Sequence, residues 1–92
     1  MKNIAVLIKS KERHSEGLRI SAGLSLLGDK VDIFLLNEDF GINDLPVIKN
    51  HLEMIKAVGI GLYSNFKKED FSFISDFDIG KKMLKYDIVF FY

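Results

Sequence analysis

One stretch constrains this chain more than any other. Residues Glu16 to Asp39 read E-G-L-R-I-S-A-G-L-S-L-L-G-D-K-V-D-I-F-L-L-N-E-D. An apolar segment runs into Gly28-Asp29-Lys30, a dense hydrophobic run follows from Val31 to Leu36, and the polar tip Asn37-Glu38-Asp39 closes it. The segment Leu18 to Leu27 admits two patterns. Leu18, Ile20, Ala22, Leu24 and Leu26 alternate as a strand would, and Gly28-Asp29 can close a hairpin. On a helix, Ile20, Leu24 and Leu27 form one stripe and Leu18, Ala22 and Leu26 another. Length decides for the helix, because strands average about five to six residues. The stretch is then a helix feeding a buried strand whose end points into solvent. In open α/β sheets ligands bind at such strand ends.

The rest of the chain repeats that alternation. Ile4 to Ile8 is a continuous apolar run, as a parallel strand covered on both faces requires. The polar loop Lys9 to Glu16 follows, with Ser15 placed to cap the helix and Glu16 in its first turn. Asn43 or Asp44 caps a second helix, Pro46 is tolerated in its first turn, and Ile48, Leu52 and Ile55 set its core face. Gly59 to Tyr63 reads as a third strand. Phe66 to Asp70 is a loop and Phe71-Ser72-Phe73-Ile74 a short fourth strand. Ser75 opens a capping box with Asp78, an acid in place of the usual Glu. Ile79, Met83 and Tyr86 share one side of a third helix, and Asp87 to Tyr92 form a fifth strand. The expectation is a single domain over residues 1–92, an α/β fold in three flavodoxin-like layers, with a five-stranded, mostly parallel sheet in the order 2-1-3-4-5.

Composition narrows the function classes. The 92 residues carry 13 basic and 13 acidic side chains, so the net charge is zero and no basic footprint for nucleic acid or membrane stands out. A neutral chain also lacks charge repulsion against self-association. There is no cysteine, which removes disulfides, thiolate metal sites and thiol chemistry and suits the cytoplasm. Five apolar residues, Ile4 to Ile8, are too few for a secretory signal core, and no run approaches the ~20 residues of a membrane span.

The sheet order expected above puts the switch point between strands one and three. The groups gathered there are Lys9, Ser10, Arg13, His14, Ser64 and Asn65, with Asn37, Glu38 and Asp39 beside them. They suit a small anionic or polar ligand held by cations and helix amides, or else a plain solvated rim of the kind every such sheet has. His14 has the near-neutral pKa of a base or ligand. His51 stands without partners at metal spacing, so no metal site is expected. No Gly-rich phosphate loop and no nucleophile elbow is present, so no catalytic residue and no cofactor is assigned. Of the eight Phe and three Tyr, Tyr63, Phe66, Phe71, Phe73 and Phe77 cluster, and Phe90, Phe91 and Tyr92 form a second group. Aromatic excess in a loop and a short strand suits an interface or an apolar pocket.

Taken in order, three pieces resemble the DsrE/DsrF/DsrH-like family, whose members include the TusB, TusC and TusD subunits of the tRNA 2-thiouridine sulfur relay. The stretch Glu16 to Asp39 resembles the family's first helix and second strand. V-G-I-G-L-Y-S-N, residues 58–65, resembles its third strand, and I-S-D-F-D-I-G-K-K-M-L-K-Y-D-I-V-F-F-Y, residues 74–92, its closing helix and strand. The resemblance implies a flavodoxin-like three-layer fold and a homo-oligomer (dimer, trimer or hexamer) or an assembly of homologous subunits. For some members it also implies a persulfide-carrying Cys after the third strand. That position falls at Asn65, whose amide has no nucleophilic sulfur. The chain is therefore expected to be a non-catalytic subunit of such an assembly. A small-molecule-binding domain or minor enzyme using the switch-point loops is the alternative.

Overall fold

The computed structural model describes residues 2–9, 14–37, 45–68 and 71–92, with the side chains of residues 14, 15 and 45–48 outside the description. Eight elements follow in chain order: β1 Asn3–Ile8, α1 His14–Leu26, β2 Lys30–Leu35, α2 Leu45–Ala57, β3 Gly61–Ser64, β4 Ser72–Phe73, α3 Asp76–Met83 and β5 Ile88–Phe91. The ambiguous segment after residue 17 is helix, not hairpin.

The five strands form one sheet in the order β4-β3-β2-β1-β5, and every pairing is parallel. The expected order 2-1-3-4-5 is therefore corrected, and β3 neighbours β2 rather than β1. The physical reason lies in β2. It is buried over Val31 to Leu35, as β1 is over Ile4 to Ile8. A strand covered on both faces belongs inside a sheet, and the observed order gives both β1 and β2 two neighbours.

That order also sorts the helices. The chain steps outward from β1 to β4 on one side, and β5 then returns to the other side of β1. Right-handed crossovers in opposite directions place their helices on opposite faces. Accordingly Leu18 and Ala22 of α1 and Ile55 of α2 pack with Ile4, Val6, Ile8, Val31, Ile33 and Leu35. Ile79 of α3 packs with Ala5, Leu7 and Phe34 on the opposite face.

Close packing explains Gly17. A Cβ there would lie 2.7 Å from Ile8 Cδ1, so glycine lets α1 settle against β1. Ser21, fully buried, donates its hydroxyl to the Gly17 carbonyl at 2.8 Å. Helices α1 and α2 stop alike. Gly28 (φ 95°) and Gly59 (φ 81°) adopt left-handed backbone. Around each, paired bonds cap the helix: Gly28 N–H to Ser25 O with Asp29 N–H to Leu24 O, and Gly59 N–H to Lys56 O with Ile60 N–H to Ile55 O. This is the Schellman arrangement, and in the second case Ile60 and Ile55 are both buried, supplying its apolar contact. Helix α3 starts at the expected Ser75, whose hydroxyl accepts from Asp78 N–H at 3.2 Å.

Candidate functional site

In this order the strand sequence reverses between β1 and β5, so the crevice that open α/β sheets use lies at their carboxyl ends. The switch point expected between strands one and three is corrected to β1 and β5. Lys9, exposed, stands there, and its backbone N–H donates to Tyr92 O at 2.7 Å. Ser64 ends β3 and Asn65 follows it; β3 lies two strands from β1, about 10 Å away. The described candidates Lys9, Asn37, Ser64 and Asn65 are thus not one cluster. Lys9 stands at the switch. Asn37, Ser64 and Asn65 meet at the ends of β2 and β3. Ser10, Arg13 and the His14 side chain lie outside the described residues, as do Glu38 and Asp39 and the expected caps Asn43 and Asp44. The expected Ser15 cap is corrected: α1 begins at His14, so Ser15 lies inside the helix.

The Asn37–Asn65 contact has defined geometry. Asn37 takes a left-handed backbone (φ 70°) as the chain leaves β2, a conformation asparagine tolerates better than most residues. Its backbone N–H donates to Asn65 Oδ1 at 2.8 Å. Asn65 Nδ2 donates in turn to Asn37 Oδ1 at 2.8 Å and to Asp76 Oδ1 at 3.0 Å. Both amide hydrogens of Asn65 are therefore spent inside the protein. Ser64 is fully buried, and its hydroxyl donates to the Phe66 carbonyl. Asn37, Asn65 and Asp76 thus tie the exit of β2 to the start of α3. Asp76 was not singled out from the sequence. Its only sequence signal was the adjoining Ser75 cap, which put an acid in the first helical turn at this rim. That carboxylate opposes an anion on the described half of the rim.

A second polar constellation sits inside the α3 face. Asp32, 9% exposed in the middle of β2, accepts a 2.5 Å hydrogen bond from the Tyr86 hydroxyl. Gly61 lies beside it on β3, where any Cβ would collide with Asp32 Oδ1. Phe34 stacks on Tyr63 at 5.0 Å between centroids and meets Tyr86 edge-on at 6.0 Å. Lys82 Nζ lies over both tyrosine rings, 5.2 and 5.9 Å from their centroids. Burial, the Asp32 hydrogen bond and the Asp32 charge all push the Tyr86 hydroxyl far above the ordinary tyrosine range. A phenol so firmly protonated is a hydrogen-bond donor, not a base. The sequence puts Tyr86 with Ile79 and Met83 on one side of the third helix, but α3 ends at Met83 and Tyr86 lies in the turn that leads to β5; Asp32 was given no role, since it is one acid within an apolar run.

Among the described residues no group of three or more His, Cys, Asp or Glu could hold a metal ion. A shallow depression of about 330 Å³ opens at the opposite rim, between the ends of α1 and α2, and is lined by Ser25, Asp29, Lys30 and Val58 among others. Among the described residues no helix is long and apolar enough to cross a membrane.

Fold and site together define an open, all-parallel α/β sheet in three layers whose described polar rim is internally bonded. No family model matches the chain. No curated protein matches it in sequence.

Proposed function

We propose that this chain is a non-catalytic α/β subunit that acts by assembly, with copies of itself or with homologous chains, as a scaffold or partner in a sulfur-relay-type complex. One contrast carries the assembly reading. The rim's polar groups Asn37, Ser64 and Asn65 are committed to internal bonds, while large apolar side chains face solvent. Leu26 is 72% exposed, Leu27 80%, Phe77 72% and Phe91 74%. Exposed apolar side chains of this size, on a chain with no net charge, favour burial against another protein. The sulfur-relay part rests on the sequence resemblance, and the flavodoxin-like, DsrE-like affiliation of the fold rests there too. A chain without cysteine carries no persulfide, so its place in such a complex is structural. Absence of cysteine also goes with a reducing, cytoplasmic setting. Sedimentation velocity of the purified chain tests the proposal. Association at about 100 µM, within the range of weak specific interfaces, supports it, and a strict monomer with no partner co-purifying refutes it.

A second reading draws on exposed Lys9 at the β1–β5 crevice, where a small anionic ligand or nucleotide would sit. A thermal-shift screen with phosphorylated metabolites checks it. A hit that binds the Lys9→Ala variant as tightly as the parent defeats it.

A further inference from the structure

The two edges of the sheet are unlike. β4 spans only two residues, Ser72 and Phe73, and so short an edge offers little to pair with. β5 is the other edge, Ile88-Val89-Phe90-Phe91. It carries none of the usual protections of an edge strand: no charge, no proline and no lysine. Among the described residues no strand lies beyond it.

The backbone shows which groups are open. Tyr92 N–H donates to Leu7 O at 2.8 Å, and Tyr92 O accepts from Lys9 N–H at 2.7 Å. Both polar groups of Tyr92 thus turn toward β1. In a parallel ladder alternate residues face the same neighbour, so Phe90 and Ile88 turn toward β1 as well. Val89 and Phe91 then direct their N–H and C=O groups outward. Their side chains share the α3 face. Val89 packs against the core there, whereas Phe91 is 74% exposed.

We propose that the β5 edge is an interface for a second copy of this chain, joined as an antiparallel β5–β5 pair about a two-fold axis at Phe90. This deepens the assembly reading and rests on it. The register follows from the open groups. A two-fold axis at Phe90 sets Val89 of one copy opposite Phe91 of the other, twice. Among the described residues Val89 and Phe91 have outward backbone groups with no strand beside them, so each pair exchanges both N–H···O bonds, four in all. The exposed Phe91 ring gains an aliphatic, β-branched neighbour on the same face, a favourable cross-strand pair. An axis at Val89 or at Phe91 matches one of them with itself and takes the other past the end of the strand. The pairing is the same patch on both copies, so it closes as a dimer and stops. No charged side chain lies on β5 to oppose it. Four residues a side is a small contact compared with standard interfaces, which sets the expected affinity at micromolar or weaker.

Sedimentation velocity of the whole chain, from about 10 µM to about 1 mM, reads the mass across that range. The parent is expected to pass from monomer to dimer and go no further. Phe91→Lys, at an already exposed side chain, is expected to weaken association at least tenfold. Leu27→Lys, on the end of α1, is expected to leave it unchanged. A Phe91→Lys variant that dimerises like the parent overturns the β5 pairing. If Leu27→Lys abolishes association instead, the interface is the end of α1, so the β5 inference fails while the assembly reading stands. A parent that stays monomeric overturns the pairing, and with no partner co-purifying the assembly reading as well; a mass that grows beyond the dimer overturns the closed two-fold pair. The cysteine-free sequence permits a direct check of register. Phe90 faces its own copy as a non-hydrogen-bonded pair with Cα atoms about 4.5 Å apart, within disulfide reach. Phe90→Cys should cross-link on mild oxidation, and Leu27→Cys should not. A folded Phe90→Cys variant that remains uncross-linked at concentrations where the parent is dimeric overturns the register.

Discussion

Replacing Tyr86 by Phe removes one oxygen and leaves the ring that meets Phe34 edge-on at 6.0 Å. What is lost is the 2.5 Å hydrogen bond to Asp32, a residue 9% exposed. Hydrogen bonds to charged groups contribute about 1.5–3 kcal/mol. The lower part of that range applies, because the Tyr86 side chain is only partly buried and water still screens the pair. The expected loss is about 2 kcal/mol, or roughly 10 °C in Tm for a domain of this size. Urea unfolding at pH 7 measures it, and an unchanged slope would show that the native and unfolded states keep their extents. The pH dependence gives a second readout. The Tyr86 hydroxyl is raised above its unfolded value by burial first and by Asp32 second. Below pH ~10 both folded and unfolded chains keep the proton. Above it the unfolded chain loses the proton and the folded chain retains it, so the parent loses stability as pH rises, at up to about 1.4 kcal/mol per pH unit. The Phe variant has no such proton. The gap between parent and variant should therefore narrow by about 1 kcal/mol between pH 9.5 and 11. A Tyr86→Phe variant within 0.5 kcal/mol of the parent at pH 7, or a gap that stays constant across that range, refutes the reasoning.

Gly28→Ala and Gly59→Ala each force a side chain into left-handed backbone with open space around it. Each should cost about 1 kcal/mol by denaturant unfolding, from conformation alone. Gly17→Ala places its methyl 2.7 Å from Ile8 Cδ1 and should cost more, about 2 kcal/mol, with relief in the double variant Gly17→Ala/Ile8→Val. Asn65→Ala removes three hydrogen bonds from the ends of β2 and α3. The Asn37 amide should then exchange with solvent hydrogen at least tenfold faster while the amides of β1 stay protected. Ser75→Ala removes the cap of α3 and should cost about 1 kcal/mol in thermal unfolding.

Local chemistry carried most of the elements into view. The apolar run Ile4 to Ile8, the Ser75 cap and the length of the segment before Gly28 each correspond to an observed boundary or choice. The strand order was legible too, though in a residue run whose consequence was not drawn. Val31 to Leu35 is as continuously buried as Ile4 to Ile8, and such a run marks an interior strand. Placing β2 at an edge contradicted its own composition. What the sequence could not disclose was the partnering of single polar groups. Asp32 and Tyr86 are 54 residues apart and bond only because β2 meets the turn between α3 and β5. Asn65 and Asp76 meet in the same way across the loop that carries β4.

The corrected order also changes what Asn65 can mean. With β3 beside β1, the residue after β3 would face Lys9 across the crevice, and an amide there would be a ligand contact or a lost nucleophile. With β2 between them, Asn65 instead reaches Asn37 and Asp76 and fixes the exit of β2 to the start of α3. A side chain whose two donors are both satisfied internally offers a ligand only what a rearrangement would release, and that rearrangement would free the left-handed Asn37 turn. The described polar groups at the ends of β2 and β3 are thus bonded to one another and to Asp76, and among the described candidates Lys9, beside Tyr92, is the one at the crevice. That same strand pair, β1 and β5, carries an edge with no further strand among the described residues. Ligand binding above the carboxyl end of β5 and strand pairing along its side would touch neighbouring residues, Tyr92 and Phe91. Lys9→Ala should leave dimerisation intact, because its backbone, not its side chain, holds Tyr92. Loss of the dimer in that variant would mean that the ammonium group itself bridges the two copies.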